Sequence, residues 1–161
     1  MSHSINIMQG LKFDTWLGSI IKPKEQIYFA ADSAESLHEM IERAAAIGYE
    51  HQILEAFIVE CGEVNEEKID VKEFSEHPGN YAIIDVRNKT EVNENKIFEK
   101  SISIPLGELR DNIHKLPTDK PIVVHCESGY RSAAGSSLIH SKLNGAVKVY
   151  DLGDAIKNFI K

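Results

Sequence analysis

The segment His125-Cys126-Glu127-Ser128-Gly129-Tyr130-Arg131-Ser132 follows the apolar run Ile122-Val123-Val124 and precedes a helical pattern. One cysteine therefore sits where a buried strand turns into a helix. A helix start leaves backbone N–H groups unpaired, and together with the helix dipole and Arg131 they favour negative charge at the loop centre. The species they favour is the Cys126 thiolate, the form in which cysteine is a nucleophile. The chemistry expected is attack by sulfur within an anion-binding cradle, with no separate base triad.

A cysteine, four residues with glycine third, then Arg-Ser, resembles the active loop of the rhodaneses, carried here by residues 126–132. The resemblance implies sulfurtransferase activity. Cys126 would take the outer sulfur of thiosulfate or of a low-molecular-weight or protein persulfide, and hand it to a thiol or to cyanide. It implies a covalent cysteine persulfide and no bound cofactor or metal. The amides and side chains of Glu127, Ser128, Gly129, Tyr130 and Ser132 would then surround the persulfide, with Gly129 allowing a turn that a Cβ obstructs. Arg131 would orient the donor and close the cradle.

Other readings of the same loop remain open. Cysteine phosphatases and arsenate reductases also set His-Cys before a loop ending in arginine, but their loop is one residue longer, and a residue contributes up to about 3.3–3.6 Å of chain. A tetrahedral oxyanion fits the shorter ring poorly, whereas a single sulfur does not. A non-catalytic persulfide carrier or regulatory binding module would form the same loop without turnover. A merely packed cysteine would not call for Ser-Gly-Tyr-Arg-Ser behind it.

The elements that must position this loop read as a parallel α/β sheet flanked by helices. Tyr81-Ala82-Ile83-Ile84-Asp85-Val86-Arg87 is a short apolar run ending in charges, as expected of a strand buried on both faces. By resemblance Asp85 and Arg87 flank the active loop and contribute to substrate binding, and Glu91 opens the next helix, either pairing with an arginine or lying in a surface ion pair. Ser101-Ile102-Ser103-Ile104 with Pro105 reads as a short strand and turn. Ala133, Ala134, Leu138, Ile139 and Leu143 suit a helix stopped by Asn144-Gly145, and Val147-Lys148-Val149-Tyr150 returns as the last strand. His125, on an alternating strand, points away from the nucleophile and reads as a packed residue.

Two departures from the rhodanese pattern fall in scaffold loops, at Asn95 to Ser101 and at Asp154-Ala155, where the family carries Gly-Gly. Glu127 bears on the chemistry, because a carboxylate beside a dianion site opposes thiosulfate and the thiolate alike. A neutral or monoanionic persulfide donor is penalised less.

The front of the chain repeats the back in degenerate form. Ser4-Ile5-Asn6-Ile7-Met8-Gln9-Gly10 mirrors Ser101 to Gly107, and Lys24 to Ala31 mirrors Asp119 to Cys126. A helix follows, with Leu37, Met40, Ile41, Ala44 and Ala45 at helical spacing and Gly48 as its stop. Residues 1–62 are therefore expected to be a truncated, inactive rhodanese-like half module before a rhodanese domain at 63–161. Ala31 replaces the cysteine, and Asp32 with Glu35 is expected to form a capping box that repels anions. Lacking its leading strands, the half module should dock on the second domain or pair two copies of the chain. The arrangement resembles the C-terminal part of a metallo-β-lactamase-type persulfide dioxygenase fused to rhodanese modules. That resemblance implies such a dioxygenase as upstream domain or partner, although the iron-binding His-x-His-x-Asp-His is absent here.

With 161 residues, 42% hydrophobic and 27% charged, the composition is that of a globular protein of one or two small domains. A net charge of −7 without basic runs argues against nucleic acid and anionic membrane as partners. No apolar stretch approaches the ~20 residues of a membrane span. Two cysteines, one in each module, suggest a reducing cytoplasm. Cys61, between Glu60 and Gly62, is either a linker cysteine or a resolving thiol for the persulfide, and nearby glutamates work against its thiolate. The scattered histidines show no metal-ligand spacing.

Overall fold

The computed structural model describes residues 4–59 and 67–160. Two compact units divide the chain, Ile7–Asn65 and a second made of Met1–Asn6 with Glu66–Lys161.

The Ile7–Asn65 unit runs α1 (Phe13–Ile20), β1 (Ile27–Ala31), α2 (Ala34–Ala46) and β2 (Ile53–Ile58), with β1 and β2 paired in parallel. Phe13, Leu17 and Ile20 form the buried stripe of α1, and Phe13 meets Phe29 of β1 edge to face at 5.9 Å. Of the apolar positions expected along α2, Leu37 and Ala44 are buried, whereas Ile41 and Ala45 are exposed. Gly48 follows the helix end at φ +76°, where a glycine is at ease. The capping box expected of Asp32 and Glu35 does not form. The chain is extended at Ser33, and that residue caps α2 by accepting the Ser36 N–H at 3.2 Å. Asp32 is left one position too early and accepts from the Ser36 hydroxyl instead.

The second unit runs α3 (Val71–Glu76), β3 (Ala82–Asp85), α4 (Lys89–Glu94), β4 (Ile102–Ser103), α5 (Leu106–Asn112), β5 (Ile122–His125), α6 (Tyr130–Leu143) and β6 (Val149–Asp151). Its four strands lie in the order β4-β3-β5-β6, all parallel, so the C-terminal ends of the strands share one edge. Every residue of β3 and β5 is buried, as their unbroken apolar runs require. One cluster packs Ile83, Val123, Leu152 and Ile156 around Phe74, which meets Tyr81, Phe98 and Phe159 edge to face. Against Val86 and Val124, α6 approaches so closely that a Cβ on Gly135 would lie 3.2 Å from a methyl of each valine. Asn144 at φ 49° and Gly145 at φ +80° end α6 at the expected place. The last strand begins two residues later than its sequence pattern suggests, which brings Asp151 to the strand end.

Candidate active site

Strand β5 delivers Cys126 to the shared sheet edge, and α6 begins four residues later. Gly129 caps that helix at φ +92°, a conformation closed to most L-residues, and a Cβ there would also meet the Gly153 backbone at 3.4 Å. This turn folds the Gly129 N–H back onto Cys126 Sγ at 3.2 Å. Ser132 adds its hydroxyl at 3.7 Å from the sulfur, while that hydroxyl donates to the Gly129 carbonyl at 3.0 Å. Cys126 is itself buried, at 1% exposure, beneath a mouth where Glu127, Ser128 and Tyr130 are exposed. The loop expected at 126–132 thus forms a ring around the sulfur, with the amide of Gly129 as its contact.

Arg131 closes the ring, but its guanidinium is engaged. Both terminal nitrogens donate to Glu91, at 2.6 and 2.7 Å, and Glu127 stands 4.0 Å away. Glu91 also accepts the Asn88 N–H at 3.0 Å, so one carboxylate caps α4 and clamps the loop arginine. The Arg131 guanidinium holds the Glu91 carboxyl below the usual carboxylate range, against the opposing pull of burial. Burial works against the charge of Arg131, and Glu91 more than offsets it.

Asp85 and Arg87 lie on the same sheet edge but spend their hydrogen bonds on each other. Arg87 donates from Nε at 3.0 Å and from Nη2 at 2.7 Å to the Asp85 carboxylate, and Nη2 reaches the Asn95 carbonyl at 2.9 Å. Both are buried, so the pair ties the end of β3 to the chain after α4. Asp85 nears the active loop through His125, whose Nε2 is 3.6 Å from the carboxylate and whose Nδ1 lies 3.4 Å from the Cys126 carbonyl. Packed against Phe98 at 5.0 Å, His125 is buried, and burial pushes its imidazole down, with Asp85 opposing in part. It is a packed residue, facing away from the sulfur as the strand alternation predicts.

Asp151 is a site residue that the sequence reading missed. It ends β6 in register with Val124, lies beside Ser132, and accepts the Gly153 N–H at 2.9 Å. Its only local signal was an aspartate at a strand end before a Leu-Gly turn. Cys61 lies outside the described residues, and its two readings stay as they stood. Among the described residues no cluster of three metal-ligating side chains occurs, and no helix is long and apolar enough to cross a membrane.

Residues 70–160 match the family model described as Rhodanese-like domain. An uncharacterised protein of Bacillus subtilis, YqhL, is 29% identical over 77 residues, covering 48% of this chain and 59% of that relative. The chain thus spans less than two thirds of that relative's length. A rhodanese-related protein of Thermoplasma volcanium superimposes with a TM-score of 0.50 at 30% identity, over 58% of this chain and 89% of that one. SseA of Escherichia coli, a 3-mercaptopyruvate sulfotransferase, is similar at 22% identity and a TM-score of 0.42, over 66% of this chain and 51% of its own.

Proposed function

Because the chain belongs to the rhodanese-like domain family through residues 70–160, we propose that it is a sulfurtransferase working by double displacement at Cys126. The observation that carries this reading is the sulfur of Cys126 held by the Gly129 N–H at a helix start, in a ring that Arg131 closes after four residues. In the first half-reaction the Cys126 thiolate attacks the sulfane sulfur of the donor. A new S–S bond forms, the donor's own bond to that sulfur breaks, and the donor remnant leaves with the electron pair. The loop amides receive the charge of the resulting persulfide. In the second, an acceptor thiolate attacks the outer sulfur and Cys126 leaves as thiolate, so kinetics are ping-pong.

The donor we infer is a low-molecular-weight or protein persulfide in preference to thiosulfate. Arg131 is neutralised by Glu91, and Glu127 adds an uncompensated negative charge at the mouth. A dianion meets repulsion there that a monoanion or neutral donor largely escapes. On the same resemblance, a metallo-β-lactamase-type persulfide dioxygenase is its partner or a further domain, and the setting is the cytoplasm.

Intact-mass spectrometry tests the reading. Wild type incubated with glutathione persulfide or thiosulfate gains one sulfur, an added thiol removes it, and Cys126→Ser gains none. A persulfide that forms once and is never passed on supports the carrier alternative, which the near-complete burial of Cys126 favours. Absence of any gain, with aryl phosphate hydrolysis lost in Cys126→Ser, would move the assignment to a cysteine phosphatase.

A further inference from the structure

Cys126 is buried, so a reagent reaches its sulfur past the exposed Glu127, Ser128 and Tyr130. The charges around that mouth are matched except at one residue. Arg131 donates twice to Glu91, and Asp154, on the turn against Gly129, pairs with Lys157 at 2.6 Å. Among the described residues, the cation nearest Glu127 is Arg131, whose Nη2 stands 4.0 Å away, at the outer limit of an ion pair, and the Glu127 side chain is 68% exposed. Its Cα lies about 3.8 Å from that of Cys126, so a group carried a carbon or two from the incoming sulfur passes within reach of its carboxylate. Tyr130 opens α6 and is also exposed at this mouth. A carboxylate offers a full negative charge and a phenol ring a negative face, and both favour a cation over an anion.

The geometry points to Glu127, assisted by Tyr130, as the residue that selects the thiol partner, and to an aminothiol as that partner, a thiol with an ammonium group about two carbons from its sulfur. The inference rests on the sulfur-transfer reading and narrows its acceptor class. In the transfer step the aminothiolate sulfur attacks the outer sulfur of the Cys126 persulfide. The new S–S bond forms, the bond from Cys126 Sγ to that sulfur breaks, and Cys126 leaves with the electron pair as thiolate. The product is the persulfide of the aminothiol, and the same species loads Cys126 in the reverse direction, so one mouth serves donor and acceptor alike. The ammonium keeps its proton throughout and is held near Glu127 by charge. Because that carboxylate is exposed, the preference it confers is severalfold and weakens as salt is added.

Charge selection is tested first without any sulfur donor. Two methanethiosulfonate reagents of equal length, one ending in ammonium and one in sulfonate, each form a disulfide with a thiolate and release methanesulfinate. Their rate ratio at Cys126, read by mass spectrometry on the Cys126 peptide of the full chain, reports the preference of the mouth. Both attack the same thiolate, so a change in its ionisation cancels in the ratio. Glu127→Gln is expected to lower the ratio of cationic to anionic reagent about three- to tenfold at low salt, and Tyr130→Leu about twofold. An unchanged ratio in Glu127→Gln would overturn the inference, and an unchanged one in Tyr130→Leu would overturn the part given to Tyr130. The acceptor is tested next. Sulfur-loaded wild type is mixed with cysteamine or with 3-mercaptopropionate at equal thiolate concentration. Cysteamine is expected to unload Cys126 about threefold faster or more, and Glu127→Gln to bring the two rates within about twofold of each other. Equal unloading of wild type by the two thiols would overturn the aminothiol. Failure of every donor to load Cys126, with the reagent ratio still falling in Glu127→Gln, would remove the sulfurtransferase reading and leave Glu127 as the residue that sets which reagents reach the cysteine.

Discussion

Arg131 faces two carboxylates with one charge. Its fork is filled by Glu91, so on the proposed function a donor would approach a guanidinium already neutralised, with the exposed Glu127 carboxylate 4.0 Å from it. Glu127→Gln is expected to speed loading from thiosulfate about two- to fivefold, as suits one exposed charge worth up to about 1 kcal/mol, and the gain should shrink as salt is added. Equal loading rates for the two proteins at low salt would show that Glu127 does not govern donor choice. Arg131→Ala should cut loading from anionic donors at least about tenfold while costing about 1–2 kcal/mol of stability, since its partner Glu91 keeps partial access to water. Full transfer from every donor in Arg131→Ala, measured by the same mass assay, would disprove the cradle. The identity of the loop arginine was legible in the chain. Its partner was legible only in part: Glu91 reads as pairing with an arginine or as lying in a surface ion pair, and the arginine it takes lies 40 residues away with nothing local to mark it.

At the scale of elements, the junction of β5 and α6 makes the site, and Gly129 makes the junction. Gly129→Ala places a Cβ at φ +92° and within 3.4 Å of the Gly153 backbone, a strain of about 1–3 kcal/mol that the chain relieves by opening the turn. The same movement withdraws the N–H from the sulfur. Urea denaturation should record the stability loss, and Cys126 alkylation at neutral pH should slow. A variant as stable as wild type with unchanged alkylation would mean that the turn does not depend on glycine. Helices α2 and α6 followed from local patterns, with the stop of α6 at Asn144-Gly145 and of α2 near Gly48, whereas α1 and α3 were not read from the sequence. The start of α2 did not, because Ser33 and Asp32 are both good caps and the extended backbone at Ser33 selected between them.

For the whole molecule, acid should be the weak side. His125 is pushed below its usual 6.5 by burial, so the unfolded chain takes up a proton there before the folded one does. Stability from this group is present above about pH 6.5 and is lost as pH falls through the folded value. Glu91, pulled down by Arg131, contributes stability above its usual 4.5 that is lost as pH falls through its own lowered value. Denaturation midpoints of wild type should fall from about pH 6.5 downward, and His125→Gln should flatten the upper part of that slope. Parallel slopes in the two proteins would remove His125 as the cause. A second expectation concerns the two units. The Ile7–Asn65 unit holds a two-stranded sheet, too little to be stable alone, so residues 1–62 in isolation should show no cooperative unfolding. A sharp thermal transition in that fragment would contradict this.

What the chain alone determined was the place of Cys126 between strand and helix, the four residues between it and Arg131, the parallel α/β plan, and the burial of β3 and β5. All of these are set by residues close in sequence, through alternation, helical period and turn chemistry. What tertiary structure decided was the partner of each buried charge. Arg131 took Glu91, Arg87 took Asp85 and the Asn95 carbonyl, and Asp151 took the Gly153 N–H. A buried ion is stable only beside the group that satisfies it, and strand register and helix packing bring such groups together from positions far apart in the chain.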